Sequence, residues 1–241
     1  MSDPTAFLVA LRSSTSDLVK GLTDLHWSEG DVAAPSLCAG WTRGHVLTHI
    51  ARNADGICNT LAGALRGEIV ARYPAGMAAR NAAIEEGAAR PYAELVADVR
   101  DTAERLDRMF GAIGDADGWG LRTENEDEAA SWVLRRWREV EIHRVDLAAD
   151  YTPERWPPRF VSEVLSDAVG SLGARVEGAV RVTITDHGCV APDLVGKEWT
   201  AGDGTPVEVR GPDWAVLAWL VGRASIASDA LSATPPLGKW R

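Results

Sequence analysis

The chain has 241 residues, enough for one large domain or two modest ones, and its 46% hydrophobic and 25% charged residues exclude a disordered or fibrous protein. Its 25 lysines and arginines against 35 aspartates and glutamates give a formal charge of −10 with no basic tail, which disfavours sequence-independent binding to nucleic acid, so that no nucleic-acid partner is expected, and leaves any anionic ligand to local arginines. No uncharged run approaches the roughly 18 residues of a membrane span, and Met1-Ser2-Asp3-Pro4 lacks a basic region followed by an apolar one, so a cytoplasmic protein without membrane attachment is expected.

Leu8, Leu11, Thr15, Leu18, Leu22 and Leu25 alternate spacings of three and four, which predicts a first helix with one buried stripe. After breaks at Pro35 and Gly40, the run Val46, Ile50, Ile57, Leu61 and Leu65 predicts a second helix capped by Gly67. An alanine-rich helical segment between Ala75 and Ala89 carries Arg80. Pro91 stands where a first helical residue tolerates proline, and a third helix follows with Leu95, Val99, Leu106 and Phe110 inward. Residues 111–127 read as a loop, after which Val133, Trp137, Val140 and Leu147 restore the helical period between Glu128 and Ala149.

Tyr151 to Arg159 holds three prolines and no period, and reads as a linker. Beyond it, Val180, Val182 and Ile184 alternate with Arg181, Thr183 and Thr185, and Val207 with Val209 repeats the pattern after the turn Gly202-Asp203-Gly204. These predict strands of a small sheet. Gly211-Pro212-Asp213 then caps an apolar helix from Trp214 to Gly222, which ends at Arg223. The expected class is α+β, with a four-helix bundle over residues 1–152 and a smaller α/β domain over residues 153–241.

Cys38, Cys58 and Cys189 are odd in number and scattered, without a CxxC spacing, so a disulfide scaffold is excluded. The ten tryptophans are expected in the core or as pocket walls. The chemistry concentrates in Arg138-Glu139-Val140-Glu141-Ile142-His143-Arg144-Val145-Asp146. Glu139 and His143 are four apart, so one carboxylate and one imidazole project from one helix face and can meet one ion. His45 and His49 share that spacing on the second predicted helix, and either could supply a third ligand across the bundle. A His, His, Glu set leaves one tetrahedral position open, as catalytic zinc sites do. Glu141, about 200° around the helix from Glu139, reads as a solvated or arginine-paired side chain. Asp146 reads either as a carboxylate orienting His143 or as half of a surface ion pair. His26 and His187 are isolated and read as structural.

The segment Trp41-Thr42-Arg43-Gly44-His45-Val46-Leu47-Thr48-His49 with Ala51-Arg52-Asn53-Ala54, the segment Arg138 to Leu147, and Leu217-Ala218-Trp219-Leu220-Val221-Gly222-Arg223 together resemble the mycothiol-dependent maleylpyruvate isomerase family. The resemblance spans nearly the whole chain. It implies a DinB-like metal-binding four-helix bundle followed by a small α/β domain similar to sterol-carrier folds. Carried over by position, it places the metal ligands on His49, Glu139 and His143, leaving His45 out. It also implies two arginines that handle substrate carboxylates, Arg80 and Arg223. Arg223 otherwise reads as a base complementing a helix C-terminus, and Arg80 as a solvated helix face.

What the resemblance implies is a cis–trans isomerase of gentisate degradation with two cofactors, Zn²⁺ or another divalent metal, and mycothiol. The thiolate adds to the double bond of maleylpyruvate, the bond rotates, and elimination gives fumarylpyruvate with the thiol regenerated, so no protein cysteine has to act as nucleophile. Two other readings share these ligands. One is a zinc-dependent mycothiol S-transferase acting on another small electrophile. The other is a non-catalytic zinc-binding module, for which Cys38 and Cys58, flanking the second predicted helix, keep a cysteine-containing site open.

Overall fold

The computed structural model describes residues 4–240 and divides into two compact units, with the division between Ala149 and Asp150. The first unit is built from α1 (Pro4–Leu25), α2 (Glu29–Ala33), α3 (Arg43–Leu65), α4 (Gly76–Gly87), α5 (Tyr92–Asp115) and α6 (Ser131–Asp146). Four of these make the bundle: α3 packs on α5 and α6, and α1 packs on α6 and α5. Its core takes Leu11, Leu18 and Leu22 from α1, Ile50, Ile57 and Leu61 from α3, Val99, Leu106 and Phe110 from α5, and Val133, Trp137 and Val140 from α6. Ser14, not Thr15, completes the buried stripe of α1, because its hydroxyl accepts from Trp137 Nε1 at 2.8 Å and donates to Glu141.

The ends of α3 follow from local chemistry. Thr42 is extended at φ −83°, ψ 170°; its hydroxyl accepts from the His45 amide, and the His45 ring accepts from the Thr42 amide at 3.2 Å. This reciprocal cap satisfies two donors that a helix start leaves open. At the other end Gly67 takes the left-handed φ of 73° that glycine tolerates. Pro91, expected as a first helical residue, is instead the N-cap of α5 at ψ 143°. The expected loop at 111–127 starts later, because α5 continues through Gly111 to Asp115 with Ile113 buried, and two 3₁₀ turns fill the rest. The helix around Glu139 starts at Ser131 rather than Glu128.

The second unit carries α7 (Pro158–Gly170), strands β1 (Ala179–Ile184), β2 (Glu198–Ala201) and β3 (Pro206–Gly211), α8 (Asp213–Leu220) and α9 (Ala224–Ala227). The sheet runs β2-β1-β3, with β1 antiparallel to β2 and parallel to β3, so that Val182 faces Trp199 on one side and Val209 on the other. Residues 151–159 are not a free linker: Tyr151, Pro153 and Trp156 are buried, and Pro153–Arg155 forms a 3₁₀ turn. α8 is buried on all sides, and Asp213 at its start accepts from the amides of Val190, Ala191 and Trp214 at 2.6–2.9 Å. Among the described residues no helix is long and apolar enough to cross a membrane.

The start of α3 is held against the end of α4 at Gly44. A Cβ there would lie 2.0 Å from the Ala88 carbonyl oxygen and 2.9 Å from Val32. Backbone cannot yield as a side chain does, so Gly44→Ala is expected to lower stability by about 1–3 kcal/mol, read as an earlier urea unfolding midpoint.

Candidate metal centre

Two helices bring the chemistry together. Arg43, the first residue of α3, donates from Nε to the Leu147 carbonyl at 2.8 Å and from Nη2 to the Ala148 carbonyl at 2.9 Å, just past the end of α6. Its guanidinium also lies 4.7 Å from the Trp27 ring centroid. The carbonyls that a helix end leaves without partners thus become the anchor of the neighbouring helix. With those ends tied, His49, nearly two turns into α3, faces Glu139 and His143, one turn apart on α6.

His49 Nε2 lies 2.9 Å from Glu139 Oε2 and 3.0 Å from His143 Nε2, and His143 Nε2 lies 3.4 Å from the same carboxylate oxygen. Donors about 2.0–2.1 Å from a tetrahedral ion stand ~3.3 Å apart, so the observed spacing fits a single first-row cation. Trp41 closes one side, its ring 5.3 Å from that of His49.

The residues around these three have defined jobs. His143 Nδ1 stands 2.8 Å from Asp146 Oδ2, and Asp146 is fully buried, so the surface ion-pair reading is replaced by a carboxylate that fixes the ring with Nε2 toward the site. Cys38 Sγ lies 3.1 Å from the same Asp146 oxygen. Cys38, His143 and Asp146 therefore form a second close group of ligand-type atoms. His45, one turn before His49, is occupied by the α3 cap and by Glu85 at 3.1 Å. Glu141 is buried at 1% exposure and accepts from Ser14, which overturns its reading as a solvated side chain. Arg136, also buried, donates from Nη1 to the Ile50 carbonyl at 2.8 Å and to Asn53 Oδ1 at 2.9 Å, placing a positive charge behind Glu139.

Protonation follows from these contacts. Burial, aided by the neighbouring His143 charge, pulls His49 down to about 4, so it is neutral at pH 7. Burial pushes the Glu139 carboxyl up, but the hydrogen bonds from His143 and His49 outweigh it and hold it well below the usual range. Burial pulls His143 down, but hydrogen bonds to Asp146, Cys38 and Glu139 outweigh it and hold the ring protonated well above its usual value.

Arg80, on the second turn of α4, donates from Nη2 to His49 Nδ1 and from Nη1 to Asn81 Oδ1 at 2.9 Å. It has no carboxylate partner among the described residues, unlike Arg52, Arg72, Arg90 and Arg105 around it. Arg80 also borders a cleft of about 210 Å³ with Arg52, Asp55, Asn59 and Tyr73. Arg223 lies in the second unit, where its Nη1 donates to the Val221 carbonyl at 2.7 Å, the helix-end contact open to a base at that position. His26 and His187 are exposed and lie outside the cluster. Sequence reasoning kept Cys38 open as a ligand, and the structure sets its Sγ on Asp146, while Trp41 and Arg136 were not singled out as neighbours of the site. For Arg136 a signal existed in its place one turn before Glu139 on the same helix, and for Trp41 in the expectation that tryptophans line a pocket.

Comparison with known proteins agrees with this architecture. The family described as the mycothiol maleylpyruvate isomerase N-terminal domain matches residues 8–148. No curated protein gives a match. Among solved structures, the crystal structure of the mycothiol-dependent maleylpyruvate isomerase is similar at TM-score 0.83 and 24% identity, covering 99% of this chain and 97% of that one. A mutant of that enzyme is similar to the same extent at 23% identity. At these identities the likeness establishes the fold, a helical N-terminal domain followed by a C-terminal α/β domain.

A cation on these donors has to displace the proton of His143, whereas neutral His49 has no net proton to release. Zinc affinity is therefore expected to rise about tenfold per pH unit from pH 6.5 to 7.5, measured by chelator competition. Asp146→Asn removes the carboxylate that orients His143 and is expected to weaken zinc binding about 10- to 100-fold in the same titration.

Proposed function

Because the chain belongs to the mycothiol maleylpyruvate isomerase N-terminal domain family, we propose that it is a zinc- and mycothiol-dependent isomerase converting maleylpyruvate to fumarylpyruvate. The observation that carries the reading is the convergence of His49, Glu139 and His143 on one point, with their donor atoms 2.9–3.4 Å apart. A divalent cation held by His49, Glu139 and His143 would supply Lewis acidity and would favour the thiolate form of a thiol bound to it. The cysteine-rich set of a structural zinc site is absent from this trio.

Ionisation alone does little. A thiol of pKa ~8.5 is about 3% thiolate at pH 7, so complete deprotonation yields roughly thirtyfold. The remainder falls to the residues that hold the substrate. Arg80 suits a substrate carboxylate, since it has no carboxylate partner among the described residues and its planar fork offers paired donors. Its charge also opposes the enolate charge that builds during isomerisation, the kind of stabilisation worth several kcal/mol in a water-poor site. Asp146 fixes the orientation of the His143 ring, and Trp41 covers one side of His49. The role of Arg223 as the second carboxylate-binding arginine rests on the family resemblance.

The test is an assay of purified protein with maleylpyruvate, reading fumarylpyruvate by absorbance with and without mycothiol and a chelator. Turnover is expected to require mycothiol and to be abolished by the chelator, and mycothiol is not consumed over many turnovers. Consumption of one thiol per product would identify an S-transferase instead, and metal binding without any thiol binding would identify a non-catalytic module. His49→Ala and Glu139→Gln are expected to lose both metal and turnover. Arg223→Ala is expected to keep its metal and turn over at least tenfold more slowly; an undiminished rate would remove Arg223 from the reaction.

A further inference from the structure

We infer that the cavity between α1 and α5 is a separate binding site, for a small organic monocarboxylate with an apolar body whose charged end is held by Arg136. The cavity measures about 500 Å³, inside the ~300–1,000 Å³ range of small-molecule sites. α1 and α5 wall it, whereas α3 and α6 hold the three candidate metal ligands. Leu11 and Val19 of α1 and Leu106 and Phe110 of α5 make its walls apolar. Arg12, Arg100 and Arg108 stand exposed at its mouth, and buried Arg136 of α6 forms its floor.

Four arginines and two carboxylates line this space, in a chain whose formal charge is −10. Each arginine at the mouth is already engaged: Arg12 stands 2.6 Å from Asp107, Arg100 3.1 Å from Asp101 and Arg108 3.9 Å from Glu104. Arg136 differs. Its Nη1 reaches two neutral oxygens, those of the Ile50 carbonyl and the Asn53 side chain, and its Nη2 is buried without a hydrogen-bond partner. The Glu139 carboxylate, one turn along α6, faces His49 and His143, and among the described residues no ion pair joins Arg136 to an acid.

A buried charge is normally paired, because the water that solvated it is gone and a counter-charge has to replace it. A carboxylate at the floor brings both the opposite charge and the acceptor that Nη2 lacks, whereas a hydroxyl brings the acceptor alone. With that end inward, an apolar body lies along Leu11, Val19, Leu106 and Phe110 and leaves water. The arrangement selects a monocarboxylate over a dicarboxylate of similar length, whose far charge would meet arginines that already have partners.

The experiment is calorimetric titration of the full chain with octanoate and with 1-octanol, after dialysis against a chelator so that no cation holds the carboxylate. One octanoate is expected per chain, bound at least tenfold more tightly than octanol. Arg136→Met is expected to lose that preference. Ala103→Trp, which fills the cavity from α5 and leaves Arg136 in place, is expected to lose both ligands at an unchanged urea midpoint. It carries the test if Arg136→Met does not fold. Arg80→Gln is expected to bind octanoate as the wild type does. Octanoate bound no better than octanol, bound equally by Ala103→Trp, lost only in Arg80→Gln, or not bound at all overturns the inference.

Discussion

The site depends on how the first turn of α3 is fastened to the end of α6. Arg43 spends its donors on the Leu147 and Ala148 carbonyls, and the Leu37 amide bonds the Asp146 carbonyl at 2.9 Å from the preceding loop. These contacts set both the height and the rotation of α3, and a rotation of one residue, about 100°, would turn His49 away from Glu139. Arg136 adds a second tie between the same helices, from inside the core to the Ile50 carbonyl and Asn53. Helix ends and buried donors that need partners in any bundle are here satisfied by the groups that align the three ligand-type side chains.

Charge organises the rest. In a chain of formal charge −10, many arginines of the bundle face carboxylates, whereas Arg80, with no carboxylate partner among the described residues, stands beside His49. Glu139 is flanked by Arg136 and the two histidines, so one negative charge sits among groups able to hold it without bulk water. Cys38 and Asp146 occupy the far side of His143, where they act on ring orientation and leave the face toward His49 clear.

Much of this was legible in the sequence. The spacing of four between Glu139 and His143 fixes one helix face whatever the fold, and the four-helix pattern supplies a partner helix with a histidine on it. Spacing alone left His45 and His49 equivalent. The distinction lies in the cap, since Thr42 draws the His45 ring back to its own amide and leaves only His49 facing α6. Glu141 was misread because the side of a bundle helix opposite the site is not solvent when a further helix, here α1, packs there. Cys38 was left open as a ligand without a place, because its approach to Asp146 and His143 depends on a chain path that no local pattern encodes. α7 and β2 went unread: α7 follows a proline-rich stretch that resembles a linker, and β2 has only four residues.

The central claim is that a cation held by two imidazoles and one carboxylate keeps a position open for sulfur from outside the chain. X-ray absorption of the zinc-loaded protein addresses it directly. The account predicts a shell of nitrogen and oxygen only at ~2.0–2.1 Å, with one sulfur scatterer at ~2.3 Å appearing when mycothiol is added. A sulfur already present without the thiol, which would implicate Cys38, or none after its addition, would contradict it.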